Sequence, residues 1–199
     1  MKKQLEEVSE NIHMIRKGQI KVEENVRLHV TDLGEGQPLV LIHGWPLSDA
    51  MYEYQYQYFV ERGIRVIGIT LRGFGKSDKP YGNYNYEIFA KDIQTVLKKL
   101  DIKDAVLGGF SMGGAIAIYY AARLKKHISK LVLFGAAAPI WTQRPDYPFG
   151  ISLDNAQGLI ELSRVNRPQL YEDFGKIFAA SEQSLSPGMV TWLSQIKWE

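Results

Sequence analysis

The spacing of hydrophobic residues changes along the chain, and these changes predict where strands and helices lie. Alternating apolar and polar residues over 19–22 and 26–30 predict two half-exposed strands that pair as an antiparallel hairpin. Beyond the hairpin, uninterrupted apolar runs typical of buried strands lie at 38–42, 64–69, 105–110 and 131–134. Because segments with helical spacing separate these runs, the pattern predicts an α/β fold with a doubly wound, mostly parallel sheet.

The helical segments between these strands carry their own signals. The first, over 48–63, begins with the capping residue Ser48 and ends at a glycine. The second, over 86–100, presents one continuous apolar face. The third, over 112–126, is almost entirely apolar, so it must be covered on most of its sides.

Both ends of the chain depart from the strand–helix alternation. The first residues have apolar positions at helical spacing, which predicts a separate helix over 1–17 on the surface of a core over 18–139. After Pro139, the segment 140–153 is rich in proline and aromatic residues, and short helices without intervening strands follow it. We therefore expect 140–199 to form an incomplete helical cap.

Composition narrows the class of protein and its surroundings. The 199 residues suit one domain, and 24 Lys and Arg residues nearly balance 22 Asp and Glu residues, for a net charge of +2. This balance provides no basic surface for nucleic acid or an anionic membrane. No apolar run reaches the roughly 20 residues that span a bilayer. Because cysteine is absent, disulfides, thiolate metal sites and a cysteine nucleophile are excluded, and we expect a cytoplasmic protein.

The strongest chemical signal is Gly109-Phe110-Ser111-Met112-Gly113, which lies between a predicted strand and a predicted helix. Such a turn forces the serine into a strained conformation, and the glycines avoid collisions with the neighbouring backbone. Ser111 is thereby presented at the carboxyl end of the sheet, where the helix dipole and the Met112 N–H can stabilise negative charge. The motif therefore predicts a serine nucleophile.

A second signal, His43-Gly44-Trp45-Pro46, follows the first buried run. Gly44 allows a sharp turn that directs the Trp45 amide toward the same site, so Trp45 and Met112 supply the two convergent donors that acyl transfer requires. We interpret His43 as a structural residue that holds this segment by hydrogen bonds. The glycine-containing segment 72–78 lacks the helix start that follows a phosphate-binding loop, and we interpret it as structural too.

Together these motifs resemble those of the α/β-hydrolase superfamily, and in detail those of bacterial aryl esterases and cofactor-free haloperoxidases, which are perhydrolases. The residues that carry the resemblance are 43–47, 72–78, 109–114 and 145–148, within a similarity that covers 19–199. It implies Ser111 as the nucleophile, an oxyanion hole made by the Trp45 and Met112 amides, a small acyl pocket beneath a helical cap, and no metal or haem. Such enzymes form an acyl-serine, from which water or peroxide takes the acyl group.

The chain departs from this family at the general base. In the family the acid and the histidine follow the serine, and His127 is the only histidine that follows Ser111. It comes 16 residues later, and a helix of that length would place it roughly 24 Å away, beyond hydrogen-bond reach. His13, on the N-terminal helix, and His29, on the hairpin, are not on a loop at the carboxyl end of the sheet. His43 belongs to the oxyanion-hole motif.

The acid of a catalytic triad is not apparent either, because Asp146 and Asp154 are interpreted as solvated or cap residues. We therefore interpret the sequence as the N-terminal portion of a hydrolase, truncated before its last strands and weak or inactive alone. In that case 131–134 forms an uncovered edge strand. We expect self-association or completion by another chain.

The sequence predicts a serine hydrolase that acts on small carboxylic esters through an acyl-serine, with perhydrolase activity as a variant. The residues Phe110, Trp141 and Phe149, in or near the predicted site, favour a small uncharged acyl or aryl substrate, although core packing also explains such residues. Two alternatives stay open. One is a non-catalytic ligand-binding or receptor module on the same fold, and the other is a lactonase or carbon–carbon bond hydrolase with the same nucleophile.

Overall fold

One mixed sheet of six strands organises the computed structural model of the protein, which describes residues 16–82, 84–177 and 185–198. Its strands are β1 (Arg16–Glu23), β2 (Val26–Leu33), β3 (Gln37–Ile42), β4 (Ile64–Ile69), β5 (Ala105–Phe110) and β6 (Ile128–Phe134). Their spatial order is β1-β2-β4-β3-β5-β6. β2 is antiparallel to both of its neighbours, β1 and β4, whereas β4, β3, β5 and β6 run parallel. The predicted α/β fold with a mostly parallel sheet is confirmed.

Helices connect and follow these strands in the described residues. They are α1 (Glu53–Val60), α2 (Tyr86–Lys99), α3 (Met112–Arg123), α4 (Leu153–Val165), α5 (Arg167–Ile177) and α6 (Pro187–Trp198). A 3₁₀ turn over Asp49–Tyr52 precedes α1, and Ser48 caps that turn by accepting a hydrogen bond from Ala50 N. Asn85 caps α2 in the same way. Within the described parts of the chain, no helix combines the length and the apolar character needed to cross a lipid bilayer.

Apolar side chains pack on both faces of the sheet, because alternate residues of each strand point to opposite faces. The cluster that joins α2 and α3 to the strands includes Val40, Ile67, Phe89, Ile93, Leu107 and Ile116. The cluster that joins the 3₁₀ turn and α1 to the strands includes Leu39, Leu41, Tyr52, Tyr56 and Val66. Full burial of an aliphatic side chain of this size contributes about 1.5–3 kcal/mol. The sheet is thus a stable platform for the segments at its carboxyl end.

Several elements differ from their predicted bounds, and the ends of α3 and β1 show this most clearly. α3 ends at Arg123 instead of continuing to Lys126, because Lys125 and His127 have φ angles of 56° and 69°, which a right-handed helix does not accommodate. At the other end of the chain, Arg16 and Lys17 belong to β1 rather than to the helix predicted over 1–17. Residues 1–15 lie outside the described residues.

β6 lies at the edge of the sheet, and among the described residues it pairs with β5 alone. Its apolar residues Leu131, Val132, Leu133 and Phe134 are 37, 37, 45 and 38% exposed. Within the part of the chain that the structure describes, β6 is therefore an edge strand with exposed apolar side chains, as predicted. Such an edge offers unpaired backbone groups and apolar side chains to other molecules.

A second compact unit spans Ala138–Trp198. It begins with an irregular segment in which Thr142 and Ile151 form an isolated bridge. α4, α5 and α6 follow, and Leu170 and Ile196 are buried.

Candidate active site

Ser111 occupies the tight turn between β5 and α3. Its φ of 50° and ψ of −117° lie in a region that is strained for a residue with a side chain. Its amide donates to the Phe134 carbonyl at 3.2 Å, and its carbonyl accepts from the amides of Gly114 at 2.9 Å and Ala137 at 2.9 Å. These hydrogen bonds hold the strained residue, which is partly exposed, at the carboxyl end of the sheet.

Gly109 and Gly113 remove the steric obstacles to this turn. A Cβ atom at Gly109 would lie 2.4 Å from the Gly113 carbonyl oxygen, and one at Gly113 would lie 2.3 Å from the Ile42 carbonyl oxygen. Both distances are far below van der Waals contact. A side chain at either position would therefore force the close-packed ends of β3, β5 and α3 apart.

The segment after β3, termed loop 43–48 below, lies directly against Ser111. A Cβ atom at Gly44 would lie 3.1 Å from Cβ of Ser111 and 2.8 Å from Cδ1 of Phe110. The reason is the order of the strands: β3 and β5 are adjacent and parallel, and Ile42 is paired with Gly109. The sheet thus brings the two predicted motifs together.

Two hydrogen bonds set the orientation of the peptide between Gly44 and Trp45. The Gly44 carbonyl accepts from the Leu47 amide at 2.9 Å and from Nδ1 of His43 at 2.9 Å. Because the Gly44–Trp45 peptide is trans, its N–H points in the direction opposite to this carbonyl and its donors. His43 and Leu47 therefore determine where the Trp45 N–H points.

His43 is fully buried, and both of its ring nitrogens are engaged. Nε2 accepts from the Leu71 amide at 3.0 Å, which requires the proton to lie on Nδ1, the atom that donates to Gly44. Burial lowers the pKa of His43 to about 4, although the hydrogen bond to Gly44 and the nearby charge of Asp49 act in the opposite direction. The ring is therefore neutral at neutral pH and is not arranged to take a proton from Ser111.

Each of the two predicted oxyanion donors is a chain neighbour of a residue at this turn: Met112 follows Ser111, and Trp45 follows Gly44. Met112 is the first residue of α3, and the amides of a first helical turn have no carbonyl partner within the helix. The N-terminus of a helix also carries a partial positive charge. Trp45 comes from the neighbouring strand end, and both residues are partly exposed. A negatively charged oxygen beside Ser111 would be favoured in this arrangement.

The other described histidines are too distant from Ser111 for proton transfer. His127 lies at the amino end of β5, where its carbonyl accepts from the Ala105 amide and its Nδ1 lies 2.9 Å from the Ile102 carbonyl oxygen. The length of β5 separates it from Ser111 by roughly 17 Å. His29 lies on the predicted hairpin, within β2 and level with the carboxyl end of β4. β2 is three strands from β5, roughly 14 Å away.

The predicted pocket residues fall in both compact units. Phe110 packs against the cluster on the α1 face of the sheet. Trp141 and Phe149 lie in the second unit, where 45% and 67% of their surfaces are exposed. Their place in an acyl pocket stays a prediction. Asp146 and Asp154 are exposed in the same unit, and Asp154 lies in the first turn of α4.

A buried ion pair that none of the predicted motifs includes anchors the segment after β4. Arg72 donates to Asp92 of α2 through Nε at 2.6 Å and through Nη2 at 2.7 Å, and it also donates to Glu23 at 3.0 Å. The side chains of Arg72 and Asp92 are only 7% and 4% exposed. The sequence holds one sign of this pair. Asp92 is an acid among the apolar positions of α2, and a charge at such a position needs a buried partner.

Comparison with known proteins identifies a family and several relatives that are similar to this chain. The family described as alpha/beta hydrolase fold matches residues 37–186. The AB hydrolase superfamily protein YisY of Bacillus subtilis (strain 168) is 44% identical over 181 residues, which cover 90% of this chain and 67% of that protein. The non-heme haloperoxidase of Rhodococcus erythropolis is 32% identical over 155 residues, which cover 77% of this chain and 57% of that protein.

The chain is also similar to solved structures. The esterase EaEST from Exiguobacterium antarcticum superposes with a TM-score of 0.87 at 40% identity, covering 92% of this chain and 68% of that one. The chain spans between 57% and 68% of the length of these three relatives.

Proposed function

The chain belongs to the α/β-hydrolase fold family, and on that basis we propose that it is a serine hydrolase acting on small carboxylic esters. In this proposal Ser111 is the nucleophile and forms an acyl-serine intermediate. The amides of Trp45 and Met112 bind the oxyanion, and His43 is a structural residue that orients the first of them.

The conformation of Ser111 is the observation that carries the proposal. A non-glycine residue with φ of 50° and ψ of −117° between a strand and a helix is the arrangement that exposes a nucleophilic serine in this fold. Hydrogen bonds from two segments sustain the strain, and strained residues held in this way cluster at functional sites. Gly44 lies against the same residue, which supports the proposal that the next amide in the chain, that of Trp45, is the second oxyanion donor.

The reaction would proceed in two steps. Oγ of Ser111 bonds to the ester carbonyl carbon while its proton passes to a base, and collapse of the tetrahedral oxyanion breaks the bond to the leaving alcohol, which takes that proton. Water then adds to the acyl-serine, the second tetrahedral intermediate collapses, and the carboxylic acid and free serine are released. Each oxyanion would be stabilised by the Trp45 and Met112 amides.

A serine hydroxyl needs a general base to react at neutral pH. The described histidines do not meet this need, because His43 is neutral with both nitrogens engaged and because His29 and His127 are distant. We therefore propose that the base is contributed from outside the described residues or by another chain. The chain alone would then react slowly.

The partly buried aromatic ring of Phe110 beside the site supports a small, uncharged acyl or aryl group as the substrate. With a net charge of +2, no charged macromolecule is proposed as a partner. The absence of cysteine from the sequence supports a cytoplasmic location.

A second candidate activity is perhydrolysis, which the similarity to a protein named non-heme haloperoxidase favours. Here hydrogen peroxide replaces water as the acyl acceptor, so the products are a peracid and free serine. The peracid then oxidises a halide ion, and with one proton it yields the carboxylic acid and a hypohalous acid. Both activities share the acyl-serine, so they differ only in what attacks it.

A fluorophosphonate probe tests the proposal without requiring turnover. Attack by an activated serine forms an Oγ–P bond and expels fluoride, so intact mass rises by the phosphonyl group and peptide mapping locates it. We expect labelling of Ser111 and none in Ser111→Ala. Ser129→Ala is the matched control, because Ser129 is exposed at the amino end of β6 and its hydroxyl donates only to backbone carbonyls.

Hydrolysis and peracid formation from an aryl acetate, with and without peroxide, then distinguish the two acceptors. Prolonged exposure of the folded chain to the probe without modification of Ser111 would contradict the proposed function. If a small ester binds under those conditions without any labelling, the non-catalytic binding module is favoured instead.

A further inference from the structure

A buried carboxylate, that of Asp49, lies at the far end of loop 43–48. Asp49 is 4% exposed and begins the 3₁₀ turn that leads into α1. Its carboxylate accepts hydrogen bonds from the Thr70 hydroxyl and, at 2.8 Å, from the Tyr56 hydroxyl. Its own amide donates to Oγ1 of Thr70 at 3.2 Å. A buried charge is costly unless it is hydrogen-bonded, and these two side chains provide that compensation.

The two donors are themselves fixed. The Thr70 amide donates to the His29 carbonyl at 3.0 Å, so Thr70 is tied to the neighbouring strand β2. Tyr56 is buried, and its hydroxyl lies over Gly68, where a Cβ atom would come within 1.7 Å of the hydroxyl oxygen. Only glycine at that position in β4 lets the hydroxyl reach Asp49. The carboxylate is therefore attached to the sheet itself.

Loop 43–48 is consequently held at both of its ends. His43 holds the first end through the Gly44 carbonyl, at 2.9 Å. Asp49 holds the second end through two side chains that approach from the strand end of β4 and from α1. The peptide that carries the Trp45 N–H lies between these anchors. Displacement of either end would move that N–H relative to Ser111.

We propose that Asp49 is a positioning residue for the oxyanion hole and holds the Trp45 amide in place through Thr70 and Tyr56. This inference rests on the proposed function, which assigns that amide to the oxyanion. If the Trp45 amide moved by a small distance, it would stabilise the oxyanion much less, because oxyanion donors act only at hydrogen-bond range.

Whether Asp49→Asn slows or speeds the reaction of Ser111 distinguishes a positioning role of Asp49 from an electrostatic one. A carboxylate near a developing oxyanion raises the energy of the oxyanion, because like charges repel. If this repulsion were the main effect, removing the charge by Asp49→Asn would speed the reaction of Ser111. If Asp49 acts by positioning, the same substitution slows the reaction, because the new amide group cannot accept the hydrogen bond that one carboxylate oxygen accepted.

Asp32→Asn is the matched control for Asp49→Asn. Asp32 is also 4% exposed and accepts two hydrogen bonds from Arg65, at 2.8 and 2.7 Å, but it lies on β2 away from loop 43–48. Asp32→Asn therefore reproduces the loss of a buried carboxylate without touching the loop. Tyr56→Phe removes a single hydroxyl and leaves the Asp49 carboxylate intact.

Two measurements on the full chain are made for each variant. The first is the rate of fluorophosphonate labelling of Ser111, which we expect to fall about tenfold or more in Asp49→Asn and about threefold in Tyr56→Phe. The second is backbone hydrogen exchange, followed in peptides that contain loop 43–48 and in peptides of β3 and β5. We expect faster exchange in the loop alone. Asp32→Asn should label within about twofold of the wild type.

The outcomes distinguish the two proposals. If the wild type is not labelled, the proposed function fails, and local loosening of the loop in Asp49→Asn still supports the anchoring by Asp49. If the wild type is labelled and Asp49→Asn reacts equally fast or faster, the positioning role is overturned. Exchange that rises equally in all peptides also overturns it. Should Asp49→Asn not fold, unchanged labelling and exchange in Tyr56→Phe would overturn it.

Discussion

The Ala137 amide donates a 2.9 Å hydrogen bond to the Ser111 carbonyl oxygen. The segment that follows β6 therefore supports the strained residue between β5 and α3. Gly114 leaves space for that segment, since a Cβ atom at Gly114 would lie 2.3 Å from Cβ of Ala136. The turn at Ser111 thus depends on the neighbouring strand as well as on its own two glycines.

Replacing Gly114 by valine is expected to push this supporting segment away. The overpacking should lower the free energy of unfolding by about 1–3 kcal/mol, and it should slow fluorophosphonate labelling of Ser111 about tenfold or more. Urea unfolding and labelling rates measure the two effects. Gly158→Ala is the control: nothing lies within 4 Å of its Cβ position in α4, so alanine should stabilise by about 0.5–1 kcal/mol. Normal labelling in Gly114→Val would contradict the supporting role.

Stability is expected to fall as the pH is lowered from 6.5 toward 4, because burial lowers the pKa of His43 from 6.5 to about 4. In this window the unfolded chain binds a proton that the folded state excludes, so the free energy of unfolding rises with pH. The contribution is complete above 6.5 and is lost as the pH falls toward 4. Its size is about 3 kcal/mol.

Urea unfolding at a series of pH values checks this expectation. His43→Gln should be less stable than the wild type at neutral pH and should show a flatter dependence through the same range. An equally steep decline in the variant would show that another group is responsible.

The buried pair between Arg72 and Asp92 should be sensitive to the loss of one partner. Arg72→Met leaves the Asp92 carboxylate unpaired in a site that is 4% exposed, and we expect a loss of about 3–5 kcal/mol in the free energy of unfolding. Combining Arg72→Met with Asp92→Leu should recover much of that loss, because no buried charge remains. Lys91→Met is the control, since Lys91 pairs with Glu87 at the surface, where both side chains are more than half exposed. If Arg72→Met lowered the free energy of unfolding no more than Lys91→Met does, this account would be contradicted.

The exposed edge of β6 is expected to make the chain self-associate. Leu133 is 45% exposed on a strand that pairs on one side only within the described residues, and such edges are blunted by charge. In sedimentation velocity, Leu133→Lys should shift the distribution toward the monomer. Leu153→Lys changes an even more exposed leucine, at 67%, that lies on a helix, and it should have little effect. A wild-type chain that sediments as a monomer at high concentration would refute the expectation.

Much of the parallel sheet is predictable from the sequence, because strands buried on both faces require uninterrupted apolar runs such as 105–110. β6 is recognised only in its second half. It begins with Ile128, Ser129 and Lys130, where polar residues interrupt the apolar pattern but pairing with β5 continues. The end of α3 is overestimated for a different reason: the backbone turns at Lys125, and the composition of the segment carries no signal of that turn.

The candidate site also contains residues that the sequence predicts and one that it does not. Ser111, Gly44 and Met112 are identified from the sequence because the local chain geometry of two short motifs places them at the ends of adjacent strands. Asp49 looks like an ordinary acid at a helix start, where a carboxylate is usually solvated. Its burial depends on Thr70, which is 21 residues away in the sequence. No local pattern conveys such a relationship.

The pairing of Ile42 with Gly109 has a consequence for how this scaffold can diversify. The two amides proposed to bind the oxyanion emerge from neighbouring strands, so their separation is tied to the interstrand spacing of about 4.8 Å. That spacing is a constant of backbone hydrogen bonding and does not respond to side-chain substitution. The strand ends from which the two amides emerge are therefore fixed by the backbone, whereas the fine placement of the amides and the substrate preference depend on side chains and loops beyond the ends of the strands.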